Sequence, residues 1–320
     1  MYYVVEVVTL GETMILMNPR ETGNLKYIYD YKKQLGGAES NFAIGLARLG
    51  HHSAWISKLG ADPHGQYIKA FIQGEGVDTS RVIFTDKAPT GLMFKERSVL
   101  NESKVYYYRH GSAASKLTPE DLDQEYIAQA KYLHLTGITP ALSQSCYEAA
   151  LEAIKVAKEN DVKVSFDPNL RLKLWDSQEE MKEVMLDLFS KSDIVLPGIE
   201  EGELLLGTTD PEEIAQEILN LGAEIVIVKL GAEGALVADQ DSMKRVAGYK
   251  VEKVVDTVGA GDGFAAGFIA GQLKGYDLVE STKLANAVGA YAITVLGDME
   301  GLPTMEEVEI FTGDKKVVTR

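Results

Sequence analysis

The sequence predicts an α/β protein: a mostly parallel central sheet with helices on both faces and a small β lid. Three observations carry this. Strand-like and helix-like periods alternate through most of the 320 residues. The run Val226-Ile227-Val228 is apolar without interruption, as expected of a strand covered on both faces. Two stretches, 14–35 and 90–109, depart from the alternation: they follow a period of two and have no crossover helix.

Residues 4–10 read as a strand and 38–49 as a helix with Phe42, Leu46 and Leu49 on one side. A strand over 53–59 and a helix over 65–73 come next. Residues 132–136 read as a strand, 143–159 as a helix, 162–166 as a strand, 178–189 as a helix, and 193–196 and 224–229 as strands. The last third carries a strand-like run over 249–255 and two helices, 263–273 and 279–296. The whole, 1–320, is one domain. Residues 14–35 and 90–109 form an antiparallel ribbon that leaves the body as a lid. Leu92, Phe94, Val105, Tyr106 and Tyr108 stand among its polar residues. An edge hairpin without function is the plainer account of the same pattern.

Composition narrows the function classes. The formal net charge of −16 repels polyanions, so neither nucleic acid nor an anionic membrane is the expected partner. Any anionic substrate must then be met by a few Arg and Lys residues, backbone N–H groups or a metal. Cys146 is the single cysteine, which fits a reducing compartment, and its helical surroundings predict a packed thiol. No leader-like segment or apolar stretch of about 18 residues is present, and a cytoplasmic location is the expectation.

The chemistry concentrates in Asp256-Thr257-Val258-Gly259-Ala260-Gly261-Asp262-Gly263-Phe264. Closely spaced glycines let the backbone bend and let an anion approach its N–H groups. The apolar helix after them turns the positive end of its dipole on the same spot. Asp262 stands at the mouth of this anion hole. There a carboxylate of ordinary or lowered pKa accepts the proton of a hydroxyl attacking a γ-phosphate, a reaction in which the protein mainly positions groups and neutralises charge. The alternative is that Asp262 merely caps the helix. Gly261 to Ala266 also fits G-x-G-x-x-A, but that match sets Asp262 against a pyrophosphate of like charge. No Walker A pattern occurs.

At this point the chain is similar to the PfkB or ribokinase family of sugar kinases. Residues 256–262 resemble its C-terminal signature. Gly36-Gly37-Ala38-Glu39-Ser40-Asn41, followed by Ala47-Arg48-Leu49-Gly50, resembles its N-terminal one, and Gly60-Ala61-Asp62, Gly65 and Gly74-Glu75-Gly76-Val77 come in the usual order. The resemblance spans nearly the whole chain and makes the expected α/β fold ribokinase-like. It implies transfer of the ATP γ-phosphate to a primary hydroxyl with Asp262 as general base and Gly259, Ala260 and Gly261 as the anion hole. It makes Gly37, Ala38 and Asn41 sugar-binding residues. Lys229, Gly231 and Gly234 fall in the nucleotide loop, Asn169, Arg171, Gly259 and Gly261 near the nucleotide phosphates, and Asn286 where a helix nears the adenine. Mg²⁺ is implied, with Glu201 reaching it through water; room is left for a monovalent cation. The family's Asn-x-x-Glu element is altered, because Gly198 stands at the asparagine position.

Within the family the chain most resembles kinases of 2-keto-3-deoxygluconate. The likeness rests on Tyr106-Tyr107-Tyr108-Arg109 with Gly111-Ser112-Ala113, on His134 to Pro140, and on Asp167-Pro168-Asn169-Leu170-Arg171 with Trp175. That sugar carries a carboxylate, for which guanidinium is the best planar partner. Arg109 and Arg171 are the two candidates. Tyr107 adds a hydroxyl and a flat wall, and Asp298 reaches the sugar's hydroxyls by resemblance. His134, in an apolar strand, reads as a core histidine. Met93 replaces a tyrosine that the resemblance suggests. The expected reaction is phosphorylation of 2-keto-3-deoxygluconate to its 6-phosphate. The alternatives are a fructokinase- or ribokinase-like enzyme for a neutral sugar, and a regulator that binds sugar or nucleotide without turnover. Lid ribbons that pair between subunits make a homo-oligomer the expected assembly.

Overall fold

The computed structural model describes residues 5–97 and 104–316. Residue 4 of the first expected strand and residues 98–103 of the second ribbon lie outside the described residues. The strands are β1 (Val7–Leu10), β2 (Met14–Pro19), β3 (Tyr31–Gly36), β4 (Ser53–Gly60), β5 (Val82–Thr85), β6 (Leu92–Glu96), β7 (Lys104–Tyr108), β8 (Tyr132–Thr136), β9 (Lys163–Asp167), β10 (Ile194–Val195), β11 (Ile225–Lys229), β12 (Gly234–Ala238) and β13 (Met243–Ala247). The helices are α1 (Ala38–Arg48), α2 (Pro63–Gly74), α3 (Gln124–Ile127), α4 (Ile138–Leu142), α5 (Gln144–Glu159), α6 (Gln178–Ser190), α7 (Ile199–Leu206), α8 (Pro211–Leu221), α9 (Ala260–Leu273), α10 (Leu278–Ala292) and α11 (Met305–Thr312).

Among the described residues, nine strands form the large sheet in the order β13-β12-β11-β10-β9-β8-β1-β4-β5. Pairing is parallel from β11 to β5, and β12 and β13 add an antiparallel hairpin at one edge. Helices cover both faces, each with its own core. On one face α5, α6 and α8 pack over β8 to β11 through residues such as Ala150, Met185, Leu188 and Ile218. On the other, α1, α9 and α10 pack through Phe42, Leu46, Phe268, Ile269 and Val288. Each large apolar side chain so buried contributes roughly 1.5–3 kcal/mol. Helix α9 is apolar all round and buried accordingly. It meets α10 closely: a Cβ added at Gly267 would lie 2.8 Å from the Cα of Ala285.

The two period-two stretches form a second, four-stranded sheet in the order β3-β2-β6-β7. Each stretch is an antiparallel pair, as expected, and a parallel pairing of β2 with β6 joins them. The face that carries Met14, Leu16, Met93 and Val105 forms a small apolar cluster.

Three expectations change. Residues 249–255 are not a strand: from 248 to 257 the chain has no regular structure. Its alternation has no sheet to pair with, since β13 precedes it as the edge, and Tyr249, Lys250, Val251 and Val254 instead wall a cavity. Helix α9 begins three residues earlier than expected, so Asp262 lies inside its first turn, and the N-cap is Gly259 in the left-handed region at φ 78°. The final helix pair is also shorter: α10 ends at Ala292 and not at 296. His134 is a core residue as expected. It is stacked on Phe42 at 3.7 Å with Nδ1 3.1 Å from the Ser165 hydroxyl, and burial drives its pKa down to about 3. Cys146 is likewise buried.

Candidate active site

The carboxyl ends of the parallel strands converge on one cleft, where ligands of open α/β sheets sit. β1 leads to Glu12, β9 ends at Asp167, β10 leads to Glu201 and β11 ends at Lys229. The small sheet closes the cleft from above. The result is a cavity of about 400 Å³, bordered by the small sheet on one side and by the start of α9 on the other. A second cavity, of about 630 Å³, opens beside it. The two share Lys229, Thr257 and Gly261 as walls, so they meet at the glycine turn.

The turn depends on glycine twice over at Gly259. Its φ is in the left-handed region, and a Cβ there would lie 2.4 Å from the backbone oxygen of Asp298. Beyond it, the N–H groups of the first turn of α9 have no helical acceptor and face outward. Gly261 is open on its cavity side: the nearest atom to an added Cβ would be Lys229 Nζ, 4.0 Å away. Such a helix end can receive an anion, and an ammonium stands at its edge.

Asp262 sits on the sugar-sized side of this turn. Asn41 donates from Nδ2 both to Asp262 Oδ2 at 2.8 Å and to Asp298 Oδ1 at 2.7 Å. The amide group of Asn169, whose φ of 40° is unusual for a residue with a side chain, lies 3.3 Å from Asp262 Oδ1. Burial, seconded by the negative charge of Asp298, holds the Asp262 pKa well above the ordinary carboxylate value, against the pull of the Asn41 hydrogen bond. This corrects the expectation of an ordinary or lowered pKa: the dipole of α9 is outweighed by desolvation and a second carboxyl. Burial likewise raises Asp298 to about 7. A base of raised pKa binds its proton more firmly once it has it, and in exchange carries one more often before the reaction.

Every residue assigned to the site from the sequence borders one of the two cavities. Gly37, Ala38, Asn41, Tyr107, Arg109, Asn169, Arg171, Glu201, Gly259, Asp262 and Asp298 line the first. Gly231, Gly234, Ala260 and Asn286 line the second. Asn286 donates to the carbonyls of Val246 and Ala247, both at 3.1 Å, and so fastens α10 to β13. Lys229 holds Asp167 through both oxygens, at 2.9 and 2.7 Å. Burial alone would favour a neutral amine, but Asp167 keeps the ammonium charged.

Arg109 is not a free charge. It is buried at 7% exposure, and Glu12 Oε2 accepts from its Nε and lies 2.6 Å from its Nη2. The other Glu12 oxygen accepts from the Ser112 hydroxyl at 2.5 Å. By contrast, Arg171 donates to the backbone carbonyls of Asn169 and Leu170, which leaves its charge unneutralised by those bonds. Glu12, Asp167 and Lys95 are site residues for which the sequence suggested no role. The first two could have been found: each is a carboxylate at or just past the carboxyl end of a buried strand. The partner of Lys95, Asp256, is 161 positions away, and nothing local announces it.

Glu201 closes the cleft floor. Its two oxygens accept the N–H groups of Leu170, at 2.9 Å, and of Gly198, at 2.7 Å, which fixes the carboxylate. Among the described residues no group of three or more His, Cys, Asp or Glu is placed to hold a metal directly. Glu201, fixed in this way at the edge of the first cavity, is the residue that could face the water shell of a Mg²⁺ carried by phosphate oxygens.

A cleft at strand ends, the open N-terminus of a long helix and a half-buried carboxyl beside it are the parts that a phosphotransferase acting on a hydroxyl needs. Comparison with known proteins makes this specific. Residues 5–305 match the pfkB family of carbohydrate kinases, and the chain belongs to that family. It is 43% identical to a 2-dehydro-3-deoxygluconokinase of Bacillus subtilis over 98% of this chain and 97% of that one. Among solved structures, a 2-dehydro-3-deoxygluconokinase of Thermotoga maritima is similar with a TM-score of 0.88 at 30% identity, covering 97% and 99% of the two chains. A candidate ribokinase II from E. coli, solved with ATP and Mg²⁺, gives 0.90 at 28% identity over 97% and 100%. The ribokinase-like α/β fold and the sugar-kinase class are thereby established.

Proposed function

We propose that this chain transfers the γ-phosphoryl group of ATP to the 6-hydroxyl of 2-keto-3-deoxygluconate. The observation that carries the reading is the position of Asp262, on the sugar-sized side of the glycine turn where the two cavities meet. The sugar lies in the first cavity under the small sheet. ATP lies in the second, its adenine against Asn286 and Gly289 and its phosphates toward Lys229 and Gly261.

In the reaction the sugar oxygen forms a bond to the γ-phosphorus while the bond from that phosphorus to the β-bridging oxygen breaks. The hydroxyl proton passes to Asp262, and ADP leaves with the electron pair. Asn41 and Asn169 aim the Asp262 carboxylate. The first-turn N–H groups of α9 meet the charge on the transferring group, and Lys229 neutralises part of it. A bound Mg²⁺ would neutralise further charge on the phosphates, and Glu201, its carboxylate held by the N–H groups of Leu170 and Gly198, would face that ion's water. Arg171 brings the net positive charge for the sugar's carboxylate, and Arg109 offers the guanidinium edge that Glu12 leaves free, beside the ring of Tyr107 at 5.6 Å.

One observation favours a neutral sugar instead: the Glu12–Arg109 pair cancels a charge on which the acid-sugar reading draws. ADP release with Mg²⁺-ATP, measured across 2-keto-3-deoxygluconate, gluconate, fructose and ribose, decides between them. Highest kcat/KM for the ketodeoxy acid supports the proposal. Preference for fructose or ribose overturns the substrate and keeps the chemistry, and no turnover at all points to a binding protein. Exchange of potassium for tetramethylammonium in the same assay shows whether a monovalent cation contributes.

A further inference from the structure

The small sheet and the glycine turn come from distant parts of the chain, yet one side chain ties them together. Lys95 lies on β6, which has neighbours on both sides in the small sheet, β2 and β7. Alternation along the strand places it on the same face as Met93, and both line the first cavity. Its ammonium lies 3.2 Å from Asp256 Oδ2, with the two side chains only 12% and 10% exposed. A pair so shielded from water interacts more strongly than a surface pair. Another ion pair between the small sheet and the C-terminal part of the chain, Lys32 with Glu300, is 3.7 Å long with the lysine 60% exposed.

Asp256 matters because it stands just ahead of the anion hole. Its Oδ1 accepts from the N–H of Val258 at 3.3 Å, and the next residue is Gly259, the N-cap of α9. The segment leading there has few other anchors. It has no regular structure, and Val254, Val255 and Val258 are all exposed. Its backbone is tied mainly at one point, where the N–H groups of Val255 and Asp256 donate to the carbonyl of Ile293. The Asp256 side chain is thus the tether between this loosely held segment and the small sheet.

We propose that Lys95 is a positioning residue: through Asp256 it transmits the position of the small sheet to the turn that forms the anion hole. A sugar that seats the sheet thereby sets the shape of the site that receives the phosphoryl group. The catalytic consequence deepens the proposed phosphotransfer and rests on it, whereas the mechanical link does not.

Two measurements test it, the first independent of turnover. Hydrogen exchange of the backbone amides of residues 257–261 is compared between wild type, Lys95→Met, Asp256→Asn and the double variant. Asparagine keeps the acceptor for Val258 but loses the charge. Exchange about tenfold faster in each single variant, and no faster in the double, is the expected result. Unchanged exchange in Lys95→Met overturns the proposal. The second measurement uses whichever sugar the wild-type chain phosphorylates, so failure of the acid-sugar assignment leaves it intact. Both single variants are expected to lose about tenfold in kcat with sugar KM within about twofold, the double variant no more, and Lys95→Arg to recover most of the loss. A rise in sugar KM in Lys95→Met that Asp256→Asn does not share means that Lys95 meets the sugar itself, and overturns it.

Discussion

The two cavities that meet at Gly261 are built on opposite plans. The first is lined by Glu12, Lys95, Arg109, Asp167, Arg171, Glu201, Lys229, Asp262 and Asp298, whereas the second has only Lys229 and Lys250 among its charged walls. In the first, most of the cations are held by another side chain: Arg109 by Glu12, Lys229 by Asp167, Lys95 by Asp256. The second is walled mainly by glycines and by apolar and aromatic side chains such as Tyr249, Val251, Phe264 and Ile293. An arrangement of paired charges is stiff, because each misplacement leaves a buried ion unpaired. An apolar slot tolerates change, because adjacent contacts are individually small. If sugar and ATP occupy the two cavities as proposed, the difference puts selectivity and chemistry on one side of the glycine turn and mere capture of the nucleotide on the other.

The largest test of that division is Asp262→Asn. It should lower kcat by about 10²–10⁴-fold while leaving ATP affinity, read by calorimetry, within a few-fold of wild type. A comparable loss of nucleotide binding would break the division. Next comes Asn286→Ala in the second cavity. It leaves the carbonyls of Val246 and Ala247 without their donor, and should cost about 1–3 kcal/mol of stability in urea unfolding and raise the KM for ATP, with kcat nearly unchanged.

A subtler effect sharpens the contrast through pH. Asp298 holds its proton to about pH 7 in the fold, against 3.8 for an unperturbed carboxyl. Between those values the folded state keeps a proton that the unfolded chain has released, so stability falls as pH rises through this window. Asp298→Asn has no such proton. Its unfolding midpoint should match wild type near pH 4, rise above it by a few degrees as pH climbs to about 7, and level off beyond. A difference independent of pH would show that the buried carboxyl is not the cause. The raised pKa of Asp262 acts in the opposite sense on rate: with Asp262 as the proposed base, activity rises with pH, and the acid limb of kcat/KM should lie above the ordinary carboxylate range.

The smallest expected effect is at Gly198. An added Cβ there would meet only Glu201 Oε2, at an ordinary 3.5 Å, and the backbone is extended. Gly198→Asn should therefore fold unchanged and alter kcat by no more than a few-fold, which steady-state kinetics would resolve.

Much of this molecule is legible in its sequence, and for physical reasons. The buried strands β8 and β11 and the amphipathic α5 announce themselves because one covered face or two imposes a period. The glycine turn is legible because backbone needs there exclude other residues. Local patterns do not show relations across the chain. The alternation of 249–255 reads as a strand because periodicity does not say whether a pairing edge exists. Arg109 reads as a free cation because Glu12, 97 positions earlier, carries no mark of its partner. The pKa of Asp262 escapes a local reading for the same reason: the helix dipole is local, and Asp298 is not.

Asn41 holds both Asp262 and Asp298, which come 221 and 257 positions later. On a ribosome that adds about 5–20 residues per second, that amide leaves the synthesis site roughly ten seconds to a minute before either carboxyl exists. The N-terminal half emerges with a polar group whose protein partners do not yet exist, so water must satisfy it until they do. The later stretch also carries the Asp298 backbone, which presses against Gly259. A nascent chain halted before Asp298 would lack one of the two partners of Asn41, so this cluster is completed only after residue 298 has been added.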